Sequence, residues 1–525
     1  MIATSAIDHN NFRDAVLSLV VFHLAGIWRF SVVGMHRCLE VPELVGLVCS
    51  HLQGPRQLEI AFDVGHPKRG DLAVLARTST VFSSHALRLI WESATLKNLL
   101  GCLPPDSFKL TTTGEGYFTK YIMQLLRPLQ SSDFERVRIY APRVKHLFSD
   151  PKSADLSSSL HWWHDEDNFQ YIHCFLILQL TKIHIPHASP AALTLLPSLA
   201  HRCPQLTNLL FFPRGALDLG SLAVFAVSAC VRGLDGIESL TVDMLNHAAF
   251  KHLSRLPSLR HLRLGELAST LDDEPSFPSL QTLYFSSKIA SPSRFLEWAN
   301  KFPLVEFTAE CPAFSTADEV HRLFSAAAGG ITHSSLTEFI FDNEFGSLND
   351  ASDGGDYLIR SSSLRRLFCF TNLTTVSILS AFGIDLDDAT ITDMARSWRQ
   401  IECLEFQSYY GTPAPRATLQ CLAAFPKYCP HLTKLSIAFD ATAIPTAHGD
   451  LSLEGLKRLD VEPSPIAAAR PVAHFIARIF PGLTHITTLA DSLDGDPDWE
   501  ADVGPQALQY DRHWKEVAAI CAPIK

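Results

Sequence analysis

The stretch Pro430-His-Leu-Thr-Lys-Leu-Ser-Ile437 shows the pattern that decides the fold. Its apolar residues stand at Leu432, Leu435 and Ile437, separated first by two polar residues and then by one. Alternate side chains of a strand point to the same face, so Leu435 and Ile437 face one way and Ser436 faces the other. A proline two residues before Leu432 ends any preceding helix and favours extended backbone. The stretch therefore predicts a short strand with one buried face.

The same apolar-x-x-apolar-x-apolar pattern returns along most of the chain. Ten clear copies begin at Leu180, Leu206, Ile237, Leu259, Leu280, Leu336, Leu364, Ile401, Leu432 and Leu456, and weaker copies begin at Val144, Leu304 and Leu483. The mean period is about 28 residues, with individual gaps from 21 to 37. Periods of this length are typical of repeat proteins.

Helix signals lie between the predicted strands. Ser189-Pro190 and Ser291-Pro292 each place a capping residue before a proline at a helix start. Glu319 follows Thr316 by three residues, the spacing of a capping box. A repeated strand and helix predict units that bury their apolar faces only by stacking on neighbours. A doubly wound α/β enzyme is the alternative, but it needs continuous apolar strands and a glycine-rich turn, which this sequence lacks.

Across roughly residues 140–490 the copies resemble the leucine-rich-repeat family. The family places Asn or Cys eight residues after the first leucine, where its side chain bonds the backbone of the turn. Only the copy at Leu364 has such a residue, Asn372. The departure implies that the other turns are stabilised differently and that the array is irregular.

Residues 36–92 form a separate helical pattern. Pro42 marks a helix start, followed by Leu44, Leu47, Val48 and Leu52 at a spacing of three to four residues. A second apolar segment runs from residue 71 to 92, after a loop predicted over 53–70. These helices carry more apolar surface than about 55 residues bury alone, which is typical of an interface.

The order of these residues resembles the F-box, particularly the F-box-like domains that precede degenerate repeats in fungal proteins. The resemblance implies binding to a small Skp-type adaptor, which links a protein substrate to a cullin ubiquitin-ligase core. The residues that carry this role by resemblance are Pro42, Leu44, Leu52, Leu72, Leu75, Val81, Phe82 and Trp91. The alternative is a helical cap that seals one end of the array, since repeat arrays need capping units.

Composition excludes several classes of protein. Hydrophobic residues make up 47% of the 525 positions, charged residues 19%, and the net charge is −11. This describes a folded chain without the basic surplus of nucleic-acid or anionic-membrane binding. The 12 cysteines are scattered and form no CxxC pair, so we expect a reducing compartment, cytoplasmic or nuclear.

The apolar stretch Ala15–Val33 has three interpretations. It is apolar enough for a signal peptide or short membrane segment, but His23 and Arg29 interrupt it and its flank lacks net positive charge. The other two are an extra packed helix, or translation beginning at Met35. We expect the last two together, and no membrane association.

No catalytic motif is present, so we expect no enzyme activity, metal or cofactor. His161–Glu166, with His173 nearby, lacks the three or four converging ligands of a metal site and is expected to be solvated or packed. Asp491–Asp502 does not fit a calcium loop and reads as an acidic linker.

In each strand copy the residue between the two final apolar positions points to the concave face of the array. Tyr284, Ile340 and Phe368 occupy this position near the middle, and we predict that they bind a protein substrate. The alternative is that loops cover this strip.

The sequence thus predicts an α/β chain with an N-terminal F-box-like module and an irregular leucine-rich-repeat solenoid. Its predicted parts are an extension (1–34), the F-box-like domain (35–100), a helical linker (101–140), the repeat array (141–489), and an acidic linker with a C-terminal cap (490–525). The predicted function is substrate receptor of a Skp–cullin–F-box ubiquitin ligase, with a ligase-independent interaction scaffold as the alternative. An enzyme with an unrecognised active site is the third hypothesis.

Overall fold

The chain forms two compact units, Met1–Ile237 and Glu238–Lys525. The computed structural model describes residues 41–53, 69–78, 80–113, 120–127, 129–148, 179–185, 190–211, 220–267, 275–343, 357–380, 382–408, 414–445, 452–461, 464–488, 491 and 505–521. The division between the units falls inside the predicted repeat array.

The first unit begins with three helices and continues as strands and helices. Its helices are α1 (Pro42–Gln53), α2 (Arg69–Thr78), α3 (Thr80–Glu92), α4 (Leu96–Leu100), α5 (Glu135–Tyr140), α6 (Pro190–Arg202) and α7 (Gly220–Val231). Its strands are β1 (Ser93–Thr95), β2 (Phe108–Thr113), β3 (Lys120–Leu125), β4 (His146–Phe148), β5 (Lys182–Ile185) and β6 (Asn208–Phe211).

Strands β1, β4, β5 and β6 pair in that order, and every pair is parallel. Strand β1 was not predicted; its three residues follow α3 directly. Strands β2 and β3 form an antiparallel hairpin, which pairs Phe108 with Leu125. The segment 101–140 therefore differs from the helical linker predicted for it.

The second unit repeats strand and helix throughout. Its strands are β7 (Ser239–Val242), β8 (His261–Leu264), β9 (Thr282–Ser286), β10 (Glu306–Glu310), β11 (Glu338–Asn343), β12 (Ile359–Arg360), β13 (Thr375–Ser380), β14 (Ile384–Asp385), β15 (Cys403–Ser408), β16 (Lys434–Ser436), β17 (Arg458–Asp460) and β18 (His485–Thr487). Its helices are α8 (His247–Leu253), α9 (Ala290–Glu297), α10 (Ala317–Gly330), α11 (Ser361–Leu364), α12 (Asp388–Ser397), α13 (Ala424–Tyr428), α14 (Ala469–Ile479) and α15 (Pro505–Cys521).

Ten of these strands form one parallel sheet in the order β7-β8-β9-β10-β11-β13-β15-β16-β17-β18. Strands β12 and β14 pair separately. Both units are thus α/β with parallel strands, as the repeated pattern predicts. The predicted capping box is confirmed: the Thr316 backbone N–H donates to Glu319 Oε2 over 2.8 Å, and the Glu319 N–H donates to Thr316 Oγ1.

Twelve of the thirteen pattern copies lead into a strand of the structure. The copy at Leu364 does not: Ser361–Leu364 is helical and Arg365–Cys369 is a 3₁₀ helix, so the strand predicted there is wrong. The strand of this repeat is β13, which belongs to a copy that begins at Leu373 and continues with Val376 and Ile378. Asn372 accordingly precedes the strand, where its side chain donates to the Ser334 carbonyl.

A ladder of threonines fixes the start of many strands. The Thr337 carbonyl accepts hydrogen bonds from the backbone N–H groups of Thr374 and Thr375, and from the Thr374 hydroxyl at 3.1 Å. The same hydroxyl-to-carbonyl bond to the preceding repeat is made by Thr181, Thr207, Thr337, Thr374, Thr433 and Thr484. These hydroxyls stabilise the array at the strand starts, whereas the family's asparagine acts after the strand.

The core between sheet and helices is apolar and, in the second unit, rich in phenylalanine. The Phe295 ring of α9 lies within 6 Å of the rings of Phe250, Phe277, Phe285 and Phe302. Such edge and tilted contacts each add about 0.5–1.5 kcal/mol to the burial of the rings. The alternate side chains of each strand are left on the opposite face of the sheet.

Helix α15 lies in the segment 490–525, for which an acidic linker and a C-terminal cap are predicted. Trp514 and Val517 are buried, and the Trp514 indole donates to the Ser464 carbonyl over 2.8 Å. The helix therefore covers apolar side chains near the end of the array.

Candidate protein-interaction surfaces

Helices α1, α2 and α3 form a cluster with an apolar core of its own. The buried side chains are Val45, Cys49, Leu72, Leu75, Phe82, Ala86 and Leu89. In each helix they recur at a spacing of three or four residues, which places them on one face. We refer to residues 41–92 of this cluster as the helical module.

The helical module also leaves large apolar side chains in water. Val41, Leu44, Leu47, Val74 and Val81 are between 40% and 57% exposed. All three helices contribute exposed apolar side chains, so the exposure is not confined to one residue. Burying one such side chain completely stabilises a protein or complex by about 1.5–3 kcal/mol. The module therefore has apolar surface for a partner.

The eight residues predicted to bind the adaptor are divided between the surface and the core. Pro42, Leu44 and Val81 are exposed, Leu72, Leu75 and Phe82 are buried, Trp91 is half-buried, and the Leu52 side chain lies outside the described residues. The three buried side chains hold the helices together, so they position the surface without being part of it. Leu47 and Val74 belong to the exposed set and were missed, because helical spacing alone does not say which of two apolar faces is buried.

Trp91 connects the helical module to the first strands. Its ring stacks on Tyr140, with centroids 4.7 Å apart and planes within 12°. Next to it, Lys145 Nζ lies 3.1 Å from Glu92 Oε1, and the Ser93 hydroxyl lies 3.0 Å from His146 Nδ1. Because α3 runs directly into β1, the module packs on the first edge of the parallel sheet in its unit.

Two of the three predicted substrate-binding residues lie on the open face of the sheet. Tyr284 of β9 and Ile340 of β11 both pair in register with Thr308 of β10. All three are half-buried and point away from the helices. The Arg263 guanidinium lies 3.7 Å from the centre of the Tyr284 ring and donates to its hydroxyl over 2.9 Å. The structure therefore brings Tyr284 and Ile340 together and adds Arg263, which was not predicted as a site residue.

The prediction that Phe368 lies on the open face of the sheet beside Tyr284 and Ile340 is wrong. Phe368 is in the 3₁₀ helix Arg365–Cys369, where its ring packs edge-on against Trp398 at 5.5 Å. The residue in register with Ile340 is Ser377 of β13.

Carboxylates face one another on β10 and β11. Glu306 pairs in register with Glu338, and Glu310 pairs with Asp342. Burial raises the pKa of Glu338, and the neighbouring Glu306 raises it further. Burial also raises the pKa of Glu310; Arg263 partly offsets this, and Asp342 adds to it. Like charges thus lie on adjacent strands, on the same face as Tyr284.

Seven of the ten thiols in the described ranges are buried in the core, and the other three are half-buried. Burial raises the pKa of Cys230 and of Cys429 to about 12 each. A thiol of this kind is protonated at neutral pH and reacts slowly.

Within the described ranges, no three His, Cys, Asp or Glu side chains converge as metal ligands would. The segments His161–Glu166 and, except for Asp491 itself, Asp491–Asp502 lie outside those ranges. Every helix that the structure describes is too short or too polar to span a bilayer.

Comparisons with known proteins identify no family for the chain. No protein-family model matches, and no curated protein matches. Among solved structures, the chain is similar to a chain of the Rad7 and Elc1 complex in yeast, with a TM-score of 0.33 and 13% sequence identity over 61% of this chain and 79% of that one. A likeness at this level assigns no function.

Proposed function

We propose that the chain is the substrate-receptor subunit of a Skp–cullin–F-box type ubiquitin ligase. The helical module binds a Skp-type adaptor and thereby the cullin core, and the repeats bind a protein substrate. The chain itself performs no chemistry and supplies proximity, in the cytoplasm or nucleus. In this proposal the module is F-box-like and the repeats are an irregular leucine-rich array.

The observation that carries the proposal is the apolar surface of the helical module. Leu44 and Val81 are 43% and 44% exposed although the module has a complete core beneath them. Surface of this kind marks interfaces. The order of Pro42, Leu44 and Val81 along the chain also matches that of the F-box.

Co-purification with a Skp-type adaptor tests the proposal. Wild type is expected to retain the adaptor, and Leu44→Asp with Val81→Asp is expected to lose it. Losing two apolar contacts removes about 3 kcal/mol or more, which weakens binding by at least about 100-fold. Both substitutions are at exposed positions, so the module keeps its core; Phe82→Asp would unfold it.

The matched control is Leu222→Asp with Phe225→Asp. These side chains of α7 are 62% and 66% exposed in the same unit, outside the module. The control should retain the adaptor. Absence of adaptor from wild type, or equal losses in both double variants, would overturn the proposal.

A second candidate function is an interaction scaffold whose helical module only caps the array. The direct run of α3 into β1 and the stacking of Trp91 on Tyr140 favour it. It predicts that wild type binds no adaptor, and that deleting residues 41–92 lowers the melting temperature of the remaining first unit.

A further inference from the structure

The open face of the second unit's sheet is acidic in its middle. The outward positions of its ten paired strands include six acidic residues, Glu306, Glu310, Glu338, Asp342, Glu405 and Asp460, and three basic residues, Arg263, Lys434 and Arg458. Two of the three basic side chains are engaged within the face: Arg263 covers Tyr284 and lies 4.0 Å from Glu310, and Lys434 forms an ion pair with Glu405. At the outward positions of the described strands β8 to β11, four carboxylates thus lie beside one guanidinium.

The geometry of β10 and β11 suits cationic side chains with apolar stems. Glu306 and Glu338 form one carboxylate pair, and Glu310 and Asp342 form a second pair four residues further along the same strands. Four residues of strand span about 13 Å. Between the pairs lies the half-buried Ile340, beside Thr308. Lysine and arginine place their methylene stems on such apolar surface and keep their charge at its edge.

The same face also has a buried hydroxyl group on β16. Ser436 of β16 is fully buried, and its hydroxyl has no hydrogen-bond partner in the described part of the chain. It is in register with Glu405 and Asp460 on the neighbouring strands. The Gln407 amide reaches across β16 to Asp460 over 3.4 Å, a long bond that a bound chain can replace. A buried hydroxyl without a partner is destabilising, and a ligand that bonds it removes that penalty.

We infer that this face binds an extended basic segment of a partner protein, lying across the strands from β9 to β17. The inference rests on the proposed function, in which the repeats bind the substrate, and it names the chemistry of that substrate. Six strand spacings of about 4.8 Å give about 29 Å, which about nine extended residues cover. The basic side chains pair with the carboxylates of β10 and β11, and the segment bonds Ser436 further along.

Fluorescence anisotropy with labelled nine-residue peptides tests the inference on the full chain without any adaptor. One peptide alternates arginine with alanine or leucine, and its control has glutamate in place of each arginine. The arginine peptide is expected to bind, and its affinity is expected to fall with added salt, because salt screens ion pairs. The glutamate peptide is expected not to bind.

Two sets of variants locate the site. Glu306→Gln with Glu338→Gln should lower the affinity for the arginine peptide about five- to thirtyfold, the loss expected for two charge pairs. Ser436→Ala should lower this affinity about fivefold. The glutamine variants relieve like-charge repulsion, so they should fold at least as well as wild type. Asp318→Asn with Glu516→Gln removes two carboxylates from helices and should leave the affinity within twofold.

Charge reversal gives an independent readout. Glu306→Lys with Glu338→Lys should abolish arginine-peptide binding and still co-purify with the adaptor that wild type retains. No binding by wild type, equal binding of both peptides, or equal losses in the face variants and the helix control would overturn the inference. Because the adaptor is absent from the binding assay, failure of the proposed function leaves these outcomes unchanged.

Discussion

Two adjacent glycines at the end of α10 provide a matched test of the packing between repeats. A Cβ atom on Gly330 would lie 2.2 Å from the Leu296 carbonyl oxygen and 2.8 Å from the Ala299 Cβ. Real Cβ atoms essentially never approach closer than 3.0 Å, so Gly330→Ala requires a movement of about 0.8 Å. The atom in the way is backbone at the end of α9, and its carbonyl already accepts a bond from Ala299. It cannot move without loosening that turn. By contrast, a Cβ atom on Gly329 would have no other atom within 4 Å.

Gly330→Ala is therefore expected to destabilise the second unit and Gly329→Ala to stabilise it. Overpacking costs about 1–3 kcal/mol, and a clash with backbone lies in the upper part of that range, at about 2–3 kcal/mol. Alanine recovers about 1 kcal/mol of helix propensity, which leaves a net loss of about 1–2 kcal/mol at Gly330. At Gly329 only the gain remains, about 0.5–1 kcal/mol because the position is in the last turn.

Differential scanning calorimetry measures both variants against wild type. A unit of this size shifts its melting temperature by about 2 °C per kcal/mol, so the two variants should differ by about 3–6 °C, on opposite sides of wild type. Shifts of the same sign and size at both positions would refute the close approach of α9 and α10 at Gly330.

Three further predictions concern the ladder, a helix cap and a thiol. Thr374→Val removes the hydroxyl bond to the Thr337 carbonyl and should lower the unfolding free energy by about 0.5–1.5 kcal/mol in urea titrations, with an unchanged m-value. The hydroxyl and the backbone N–H of Thr390 lower the pKa of Asp387, the cap of α12. The stabilisation by the Asp387 carboxylate is therefore complete above the unfolded pKa of about 3.9 and is lost as the pH falls through the lower folded value. Asp387→Ala should lower the unfolding free energy by about 1 kcal/mol at pH 6 and by less at pH 3. An equal loss at both pH values would show that the charge of Asp387 does not contribute. Cys429 should remain unmodified by iodoacetamide at pH 8 until the chain is unfolded, as peptide mass spectrometry would show; rapid modification of the folded chain would contradict its burial.

Hydrophobic spacing predicted most strands, and the exception shows what spacing omits. Leu364-Arg-Arg-Leu367-Phe-Cys369 and Leu373-Thr-Thr-Val376-Ser-Ile378 fit the same pattern nine residues apart, and only the second is a strand. The second has β-branched residues at its centre, and threonine follows its first leucine. That threonine makes the ladder bond, so the sequence contained two local signals that favour the second segment over the first. Strand β1 left no signal, because its three residues become a strand only by pairing with β4.

The candidate surfaces were less predictable than the fold, for a related reason. Spacing shows that Leu44 and Val45 both belong to an apolar helix, but which of them faces water depends on where α2 and α3 pack. The same holds for the carboxylates of β10 and β11. Glu306 and Glu338 are 32 residues apart in the sequence, and only the register of two parallel strands makes them neighbours.

Paired backbone bonds at the strand starts, reinforced by threonine hydroxyls in six repeats, account for an irregular array with a regular open face. In the threonine repeats, the carbonyl at the strand start takes two backbone N–H bonds and one hydroxyl from the next repeat, so register is set before the strand begins. The connection between one strand and the next can then differ in length without changing the register of the next strand. This explains how pattern copies spaced 21 to 37 residues apart still align their outward side chains in rows across the sheet. A one-residue slip would turn Tyr284 and the carboxylates toward the helices and expose phenylalanines in their place. These strand-start bonds therefore maintain the outward rows, and substitutions that weaken them should weaken peptide binding together with stability.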